Sequence, residues 1–284
     1  MEGAGGNRVR WQDLPAAVHD AVAQVLGSPV VRAVSQSGGF SPGSADRVLA
    51  ADGSRAFVKA VSPRQNADSP ALHAREARIA RSLPAGVPAP RLLGASLVDD
   101  WQVLVLDEVP GRQPELPWRH EDLDLVVRAL ERLAEVATPC PVPGLPTARE
   151  ALTGELPEEA LRLVGGDTLV HLDLRADNLL VGGGRAWLVD WPHACVGAAW
   201  LDLLALLFEV DRLGGQDLAE RTLRTSSLTR DVDPAVLTTV LDGFSTFFLD
   251  RAAQPAPPGL PTLRAFQRAQ GEGLARWVAR RRAV

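Results

Sequence analysis

Lysine is all but missing from this sequence: of 30 basic residues 29 are arginine, and Lys59 is the exception. Keeping one lysine inside an apolar stretch fits a need for a compact, strongly hydrated charge on a flexible stem, although arginine bias with one chance lysine reads the same. Cysteine is also scarce. Cys140 and Cys195 have neither metal-ligand nor redox spacing, which excludes a disulfide framework and a cysteine zinc site and suits a reducing compartment. No run of eighteen apolar residues is present, so no membrane-spanning helix is expected. Met1 to Gly6 lacks a signal-peptide pattern, and a cytoplasmic protein is expected. A basic stripe is missing too: 12 basic residues face 11 acidic ones through Arg112, and 18 face 24 beyond it. That balance argues against nucleic acid as a partner. What is present, 284 residues with 46% hydrophobic and 23% charged content, suits a globular protein of two lobes.

The first third alternates between apolar strands and helices. Leu14, Val18, Val22 and Leu26 recur every four residues, which predicts an amphipathic helix over Trp11 to Leu26 packed on the first lobe. Pro29 to Ser35 reads as a strand, followed by the glycine-rich Ser37 to Gly43. Asp52-Gly53 then joins two extended runs, Asp46 to Ala51 and Arg55 to Val61, as a hairpin. Gly39, Phe40 and Ser41 would thus sit in a turn between strands, where bare backbone N–H groups can approach phosphate. Lys59 shares a strand face with Phe57 and Val61. A helix from Pro70 to Leu83, capped by Ser69, carries Leu72, Glu76, Ile79 and Leu83 on one stripe. Glu76 interrupts that apolar stripe, and Lys59 is its natural counter-ion. Pro90 to Val98 and Trp101 to Val109 predict a further hairpin.

Beyond residue 112 the period changes from two to helical. Asp122 to Val136, Ala198 to Leu213, Leu237 to Leu249 and Pro261 to Ala279 read as helices, with Arg276 and Arg280 to Arg282 as a solvated helix end. Among them lies the richest stretch, His171-Leu-Asp173-Leu-Arg-Ala-Asp-Asn178, then two apolar runs around Gly182 to Gly184, then Asp190-Trp191. The runs predict a hairpin that brings Asn178 beside Asp190, two hard oxygen ligands of the kind Mg2+ takes together with phosphate oxygens. Asp173 is within reach of the same point. Taken singly, Asp173, Asp177 and Asn178 read equally well as turn formers.

The spacing His171-x-Asp173-x4-Asn178 is that of the kinase catalytic loop, where Asp is the base and Asn a metal ligand. With Asp190-Trp191 in place of the kinase Asp-Phe-Gly, the chain resembles the aminoglycoside phosphotransferase family and its small-molecule kinase relatives. Leu172 replaces the family's usual Gly and Arg175 its usual second His. The resemblance implies an α+β, protein-kinase-like bilobal fold: a nucleotide-binding lobe over residues 1–111 with an antiparallel sheet and a hinge at 107–111, and a helical lobe over 112–284. It further implies ATP as co-substrate, Mg2+ as cofactor, Asp173 as catalytic base, and Asn178 and Asp190 as metal ligands. Lys59, oriented by Glu76, would hold the α and β phosphates, and the Val109 N–H would meet adenine, since Pro110 has no N–H to offer. Asp202 resembles the family's Asp that bonds the catalytic-loop backbone, or is a plain helix-start carboxylate.

The acceptor is expected to be a small polyhydroxylated or cationic molecule. Glu209, Asp211, Asp217 and Glu220 crowd one helix end and the next helix start, and could attract a cation. Solvated helix faces would look the same, and Arg175 or Arg212 could instead receive an anion. Two other readings stand beside a small-molecule kinase: a protein serine/threonine kinase, against which no Ala-Pro-Glu segment follows Asp190, and a nucleotide-binding regulatory module without transfer activity.

Overall fold

The computed structural model describes residues 8–36, 42–256 and 262–283. Its N-terminal part is an antiparallel sheet of five strands, β1 (Val30–Ser35), β2 (Ser44–Ala50), β3 (Arg55–Val61), β4 (Leu92–Val98) and β5 (Trp101–Asp107), in the order β1-β2-β3-β5-β4. Period-two alternation gives this sheet two different faces. Ala56, Val58 and Ala60 of β3 and Val103 and Val105 of β5 pack against Leu14, Val18 and Val22, the last two on helix α1 (Ala16–Leu26). Val18 and Val22 are fully buried, worth roughly 1.5–3 kcal/mol each. The helix starts later than the periodicity suggests. Leu14 is extended, with φ −73° and ψ 149°, and Trp11–Asp13 forms a separate 3-10 turn. Pro15 is the cause, because the residue before a proline is disfavoured in the helical region.

Phe57, Lys59 and Val61 occupy the other face, towards α2 (Ser69–Ser82). Ser69 does not cap this helix but lies in its first turn. Asn66 organises the start instead: its Oδ1 accepts from the N–H groups of Asp68 and Ser69 at 3.0 and 2.9 Å and from the Ser69 hydroxyl at 3.1 Å. The buried stripe of α2 is Ser69, His73, Glu76, Ala77 and Ile79, rotated from the expected one so that Leu72 and Leu83 are only half-buried. The β2–β3 hairpin turns at Asp52-Gly53, with the Asp52 carboxylate accepting from Ser54 N at 2.9 Å. β4 and β5 join through Asp99-Asp100, Asp99 adopting φ 53°.

The C-terminal part is mainly helical. Its long helices are α3 (His120–Val136), α6 (Leu201–Arg212), α7 (Gln216–Thr225), α8 (Pro234–Ala252) and α9 (Leu263–Arg282), beside two single turns, α4 (Ala148–Ala151) and α5 (Glu158–Leu161). Two small antiparallel pairs are set among them, β6 (Thr168–Val170) with β9 (Cys195–Gly197), and β7 (Leu179–Gly182) with β8 (Arg185–Leu188). Leu201, Leu203, Leu204, Leu206 and Leu207 of α6 are fully buried, so this helix runs through the middle of the core. One of the C-terminal arginines expected to be solvated is bound inward, Arg281, which grips both oxygens of Glu220 at 2.8 Å, and Arg280, still exposed, pairs with buried Asp211. Arg282 reaches Asp242 at 2.9 Å, and Arg276 stays exposed as expected. Among the described residues no helix is long and apolar enough to cross a membrane.

Candidate active site

The β7–β8 hairpin closes through Gly183 and Gly184, at φ 56° and 76°, the two left-handed positions of a two-residue turn. Its ladder runs from Gly182 opposite Arg185 to Leu179 opposite Leu188. One step further, Val189 N–H donates to the Asn178 carbonyl at 3.0 Å. Asn178 therefore faces Val189, not Asp190 as the sequence suggested, and Asp190 leaves the ladder one residue beyond, at φ 70°.

The loop ahead of this hairpin is held at both ends by buried groups. His171 is fully buried, and its Nε2–H donates to the Val189 carbonyl at 2.9 Å while Nδ1 accepts from Asp173 N–H at 3.3 Å. That pattern requires the neutral ring, and burial pushes its pKa down to about 4. Asp202, on α6, accepts from the backbone N–H of His171 at 2.7 Å and of Leu172 at 2.9 Å. Asp202 thus does bind the loop backbone; burial raises its pKa to about 6 against the pull of those two donors. Leu172 between them sits at φ 66°, a left-handed conformation that glycine adopts without strain and leucine does not. At the far end Glu209 accepts from Ala176 N–H at 3.0 Å and from Trp118 Nε1 at 3.1 Å.

Asp173 and Asn178 meet within this frame. The Asn178 Nδ2 group donates to the Asp173 carboxylate at 3.0 Å and to its carbonyl at 2.8 Å, which turns the amide oxygen away from Asp173. Burial raises the Asp173 pKa, and Arg175, 3.9 Å away, opposes it. The Arg175 guanidinium also grips Asp177, at 3.1 and 3.0 Å.

Lys59 joins the two halves of the molecule. Its ammonium donates to both oxygens of Glu76 at 2.8 Å and to Asp190 at 3.0 Å. Burial alone would lower its pKa, but Asp190 and Glu76 outweigh this and raise it. The ammonium in turn holds Asp190 down to about 2, while burial pushes Glu76 up against the pull of Lys59. The Trp191 backbone also hydrogen-bonds Glu76, and Arg75 donates to the Ala194 carbonyl at 3.1 Å. Helix α2 is thereby docked on the segment that follows Asp190. His73, one turn before Glu76, faces the same cluster, and sequence reasoning missed it because a lone histidine on a helix carries no pattern.

The remaining site residues fall as follows. Val109 is buried, its carbonyl accepts from Gly111 N–H at 3.0 Å, and no described residue accepts from its own N–H. Arg112 is bound through its backbone to Val181, at 3.0 and 2.7 Å, and through its guanidinium to Asp122, at 2.8 and 2.9 Å. A Cβ on Gly182 would stand 2.6 Å from the Pro110 carbonyl, so glycine is what lets this segment lie against the hairpin. Gly39, Phe40 and Ser41 lie outside the described residues. Three of the four carboxylates expected to draw a cation are engaged internally: Glu209 as above, Asp211 by Arg280, and Glu220 by Arg281 and by Trp277 Nε1 at 2.6 Å. Only Asp217 is left exposed, which corrects the expectation of an acidic cleft there. Among the described residues no cluster of three or more His, Cys, Asp or Glu could hold a metal ion.

No family model and no curated protein matches the sequence. Solved structures do match it in shape. A thermostable mutant of aminoglycoside phosphotransferase APH(4)-Ia, in ternary complex with AMP-PNP and hygromycin B, is 15% identical over 93% of this chain and 99% of its own, with a TM-score of 0.64. Amicoumacin kinase hAmiN, in complex with AMP-PNP, Ca2+ and Ami, is 14% identical over 82% of this chain and 85% of its own, at 0.54. A choline/ethanolamine kinase family protein from Mesorhizobium loti is 19% identical over 81% and 90%, at 0.53. At such identities the likeness is one of fold, and it agrees with the sequence: the chain adopts the α+β, protein-kinase-like bilobal architecture in which these small-molecule kinases are built.

Proposed function

We propose that the chain is an ATP- and Mg2+-dependent phosphotransferase acting on a hydroxyl group of a small molecule, with residues 1–111 as the nucleotide lobe, 107–111 as the hinge and 112–284 as the acceptor lobe. The observation that carries this reading is the convergence of Lys59, Glu76 and Asp190 on one side and Asp173 and Asn178 on the other. Phosphoryl transfer asks little of a protein beyond such positioning and charge neutralisation.

Asp173 is the base. It takes the proton of the acceptor hydroxyl as that oxygen attacks the γ-phosphorus, while the bond from the phosphorus to the ADP oxygen breaks. Lys59, fixed by Glu76, holds the α and β phosphates. The Val109 N–H, which no described residue takes up, meets adenine. Asn178 and Asp190 fit a magnesium ion: the amide oxygen of Asn178 is freed by the bonds of its Nδ2, and the Asp190 side chain is 42% exposed. One amide oxygen and one carboxylate, completed by phosphate oxygens and water, make the hard, sparse set that Mg2+ accepts. Bound there, Mg2+ would neutralise charge on the phosphates.

The acceptor is an aminoglycoside-like or other polyhydroxylated molecule, as hygromycin B and amicoumacin are ligands of the similar proteins. Since Glu209, Asp211 and Glu220 are tied up internally, nothing in this region requires the acceptor to be a cation. The test is ADP release from Mg·ATP across aminoglycosides, other hydroxylated antibiotics, sugars and choline-like alcohols, with phosphate followed into the product. Acceptor-dependent release on one class is the expected result. Failure to bind ATP at all would overturn the reading.

A further inference from the structure

His73 is 6% exposed, and its Nδ1 is buried with no hydrogen-bond partner. No described residue bonds its Nε2 either. A buried polar ring left without a protein partner is uncommon and calls for an explanation. Its surroundings are more specific than a core: it lies one turn before Glu76 on the buried stripe of α2, with Lys59 of β3, Asp190 beyond β8 and Arg8 ahead of α1 as charged neighbours. With two cations close by, the neutral ring is the stable form, and burial is the larger cause of its depressed pKa. Of the two neutral tautomers, the one protonated at Nε2 leaves only a bare acceptor at the buried Nδ1, which is less costly than an orphaned N–H. Nε2–H is then a donor that no described residue takes up, on a ring whose charged neighbours are Lys59, Asp190 and Arg8.

We propose that His73 is a phosphate-binding residue, whose Nε2–H donates to an oxygen of the nucleotide phosphates held by Lys59. The inference rests on the nucleotide reading above and adds a donor to it. An ammonium already shared between Glu76 and Asp190 has limited reach for a phosphate chain, and a neutral N–H donor from the adjacent helix turn supplies a directional contact that does not compete for those carboxylates. Such a donor discriminates by phosphate and not by base.

Titration calorimetry of the full chain with adenosine, Mg·ADP and Mg·AMP-PNP tests this, using wild type, His73→Leu and His73→Gln. Loss of a hydrogen bond to a charged acceptor should weaken AMP-PNP by about 10- to 100-fold in His73→Leu, leave adenosine affinity unchanged, and be partly restored in His73→Gln, whose amide N–H falls near the position of Nε2. A ratio of AMP-PNP to adenosine affinity that stays at the wild-type value in His73→Leu would make His73 a packing residue and overturn the proposal alone. Melting temperatures of the three proteins separate packing from binding. Wild type that binds adenosine and AMP-PNP equally well would also refute a phosphate donor, whereas wild type that binds neither would remove the nucleotide reading itself.

Discussion

Asp202→Asn tests the frame on which the catalytic loop is hung. The carboxylate is 3% exposed and accepts from two consecutive backbone N–H groups, at 2.7 and 2.9 Å. An amide of the same size offers one acceptor and turns its NH2 toward the second donor. At least one buried N–H is then orphaned, which costs about 1–3 kcal/mol, and the surviving bond loses its charge assistance, worth about 1 kcal/mol more. Relief of the buried charge, whose cost holds the Asp202 pKa near 6, offsets part of this, so the variant should lose about 1–2 kcal/mol in urea unfolding, read as a shift in midpoint with unchanged slope. Its effect on the site should be selective. The loop needs support from outside because Leu172 is held at φ 66°, and release of its N–H lets Asp173 drift. Turnover should fall at least 10-fold, since small displacements of a positioned base are expensive, while nucleotide affinity stays near wild type because Lys59, Glu76 and Asp190 make no contact with Asp202. A variant with unchanged midpoint and unchanged turnover would refute the reasoning.

Four further outcomes follow from the same geometry. Leu172→Gly should be more stable than Leu172→Ala by up to about 1 kcal/mol, an inversion of the usual order, because a left-handed alanine costs about 1–2 kcal/mol against glycine's roughly 0.5–1 kcal/mol of backbone entropy; calorimetric melting that ranks Ala above Gly would contradict the strain. Asp173→Asn should lower turnover roughly 10²- to 10⁴-fold with nucleotide binding spared, and a wild-type rate in this variant would place the base elsewhere. Lys59→Met and Glu76→Gln should couple by at least about 1 kcal/mol in a double-mutant cycle on kcat/KM, where strict additivity would argue that the contact has no part in transfer. His171 stays neutral in the fold, with its pKa depressed from 6.5 to about 4, so its contribution is intact above pH 6.5 and is withdrawn as pH falls through that interval, by up to about 3 kcal/mol. Asp202, with its pKa raised to about 6, gains stability over the same interval, so the loss is read from the difference in urea midpoint between wild type and His171→Gln, which should shift against wild type as pH falls from 7 to 4.

How much of this was legible beforehand depended on whether a residue's neighbours along the chain determine its environment. Lys59 and Glu76 could be paired from sequence because each breaks an apolar pattern of its own element, β3 in one case and α2 in the other, and two uncompensated charges facing one core imply each other. The β7–β8 hairpin was readable from its glycines, but its register was off by one: the turn needs only Gly183 and Gly184, and Gly182 belongs to the strand opposite Arg185. The start of α2 was assigned to Ser69 since serine is a common cap, whereas Asn66 does the work from three residues upstream. The single turn α4 was passed over although Thr147 and Glu150 form a full capping box, because four residues show no periodicity. His73 drew no notice, and Glu209 was read as part of an acidic patch and not as a support of the catalytic loop, for a different reason. Their importance lies in contacts with residues far away in sequence, and nothing local marks them.

The C-terminal arginines change the electrostatics of the helical part in the same way, through partners far away in sequence. Read along the chain, Glu209, Asp211, Asp217 and Glu220 are an acidic patch and Arg280 to Arg282 a basic helix end, each apparently facing water. Folding brings the two together: α9 lies against α6 and α8, and Asp211 and Glu220 receive Arg280 and Arg281. Charges that neutralise each other at short range leave little field at distance, particularly beyond a Debye length of about 8 Å at physiological salt. Of the four, only Glu209, bound to neutral donors, and exposed Asp217 keep a charge that no described residue pairs, so this patch is a weaker source for steering a cationic acceptor than the sequence suggests. Affinity for the acceptor has to come from groups beside the catalytic loop, where Arg175 sits 3.9 Å from Asp173 and grips Asp177. Arg175 is itself neutralised there by Asp177 and Asp173, so this corner exerts little long-range field either, and kcat/KM for the true acceptor should change little as ionic strength rises; a steep fall would refute this reading.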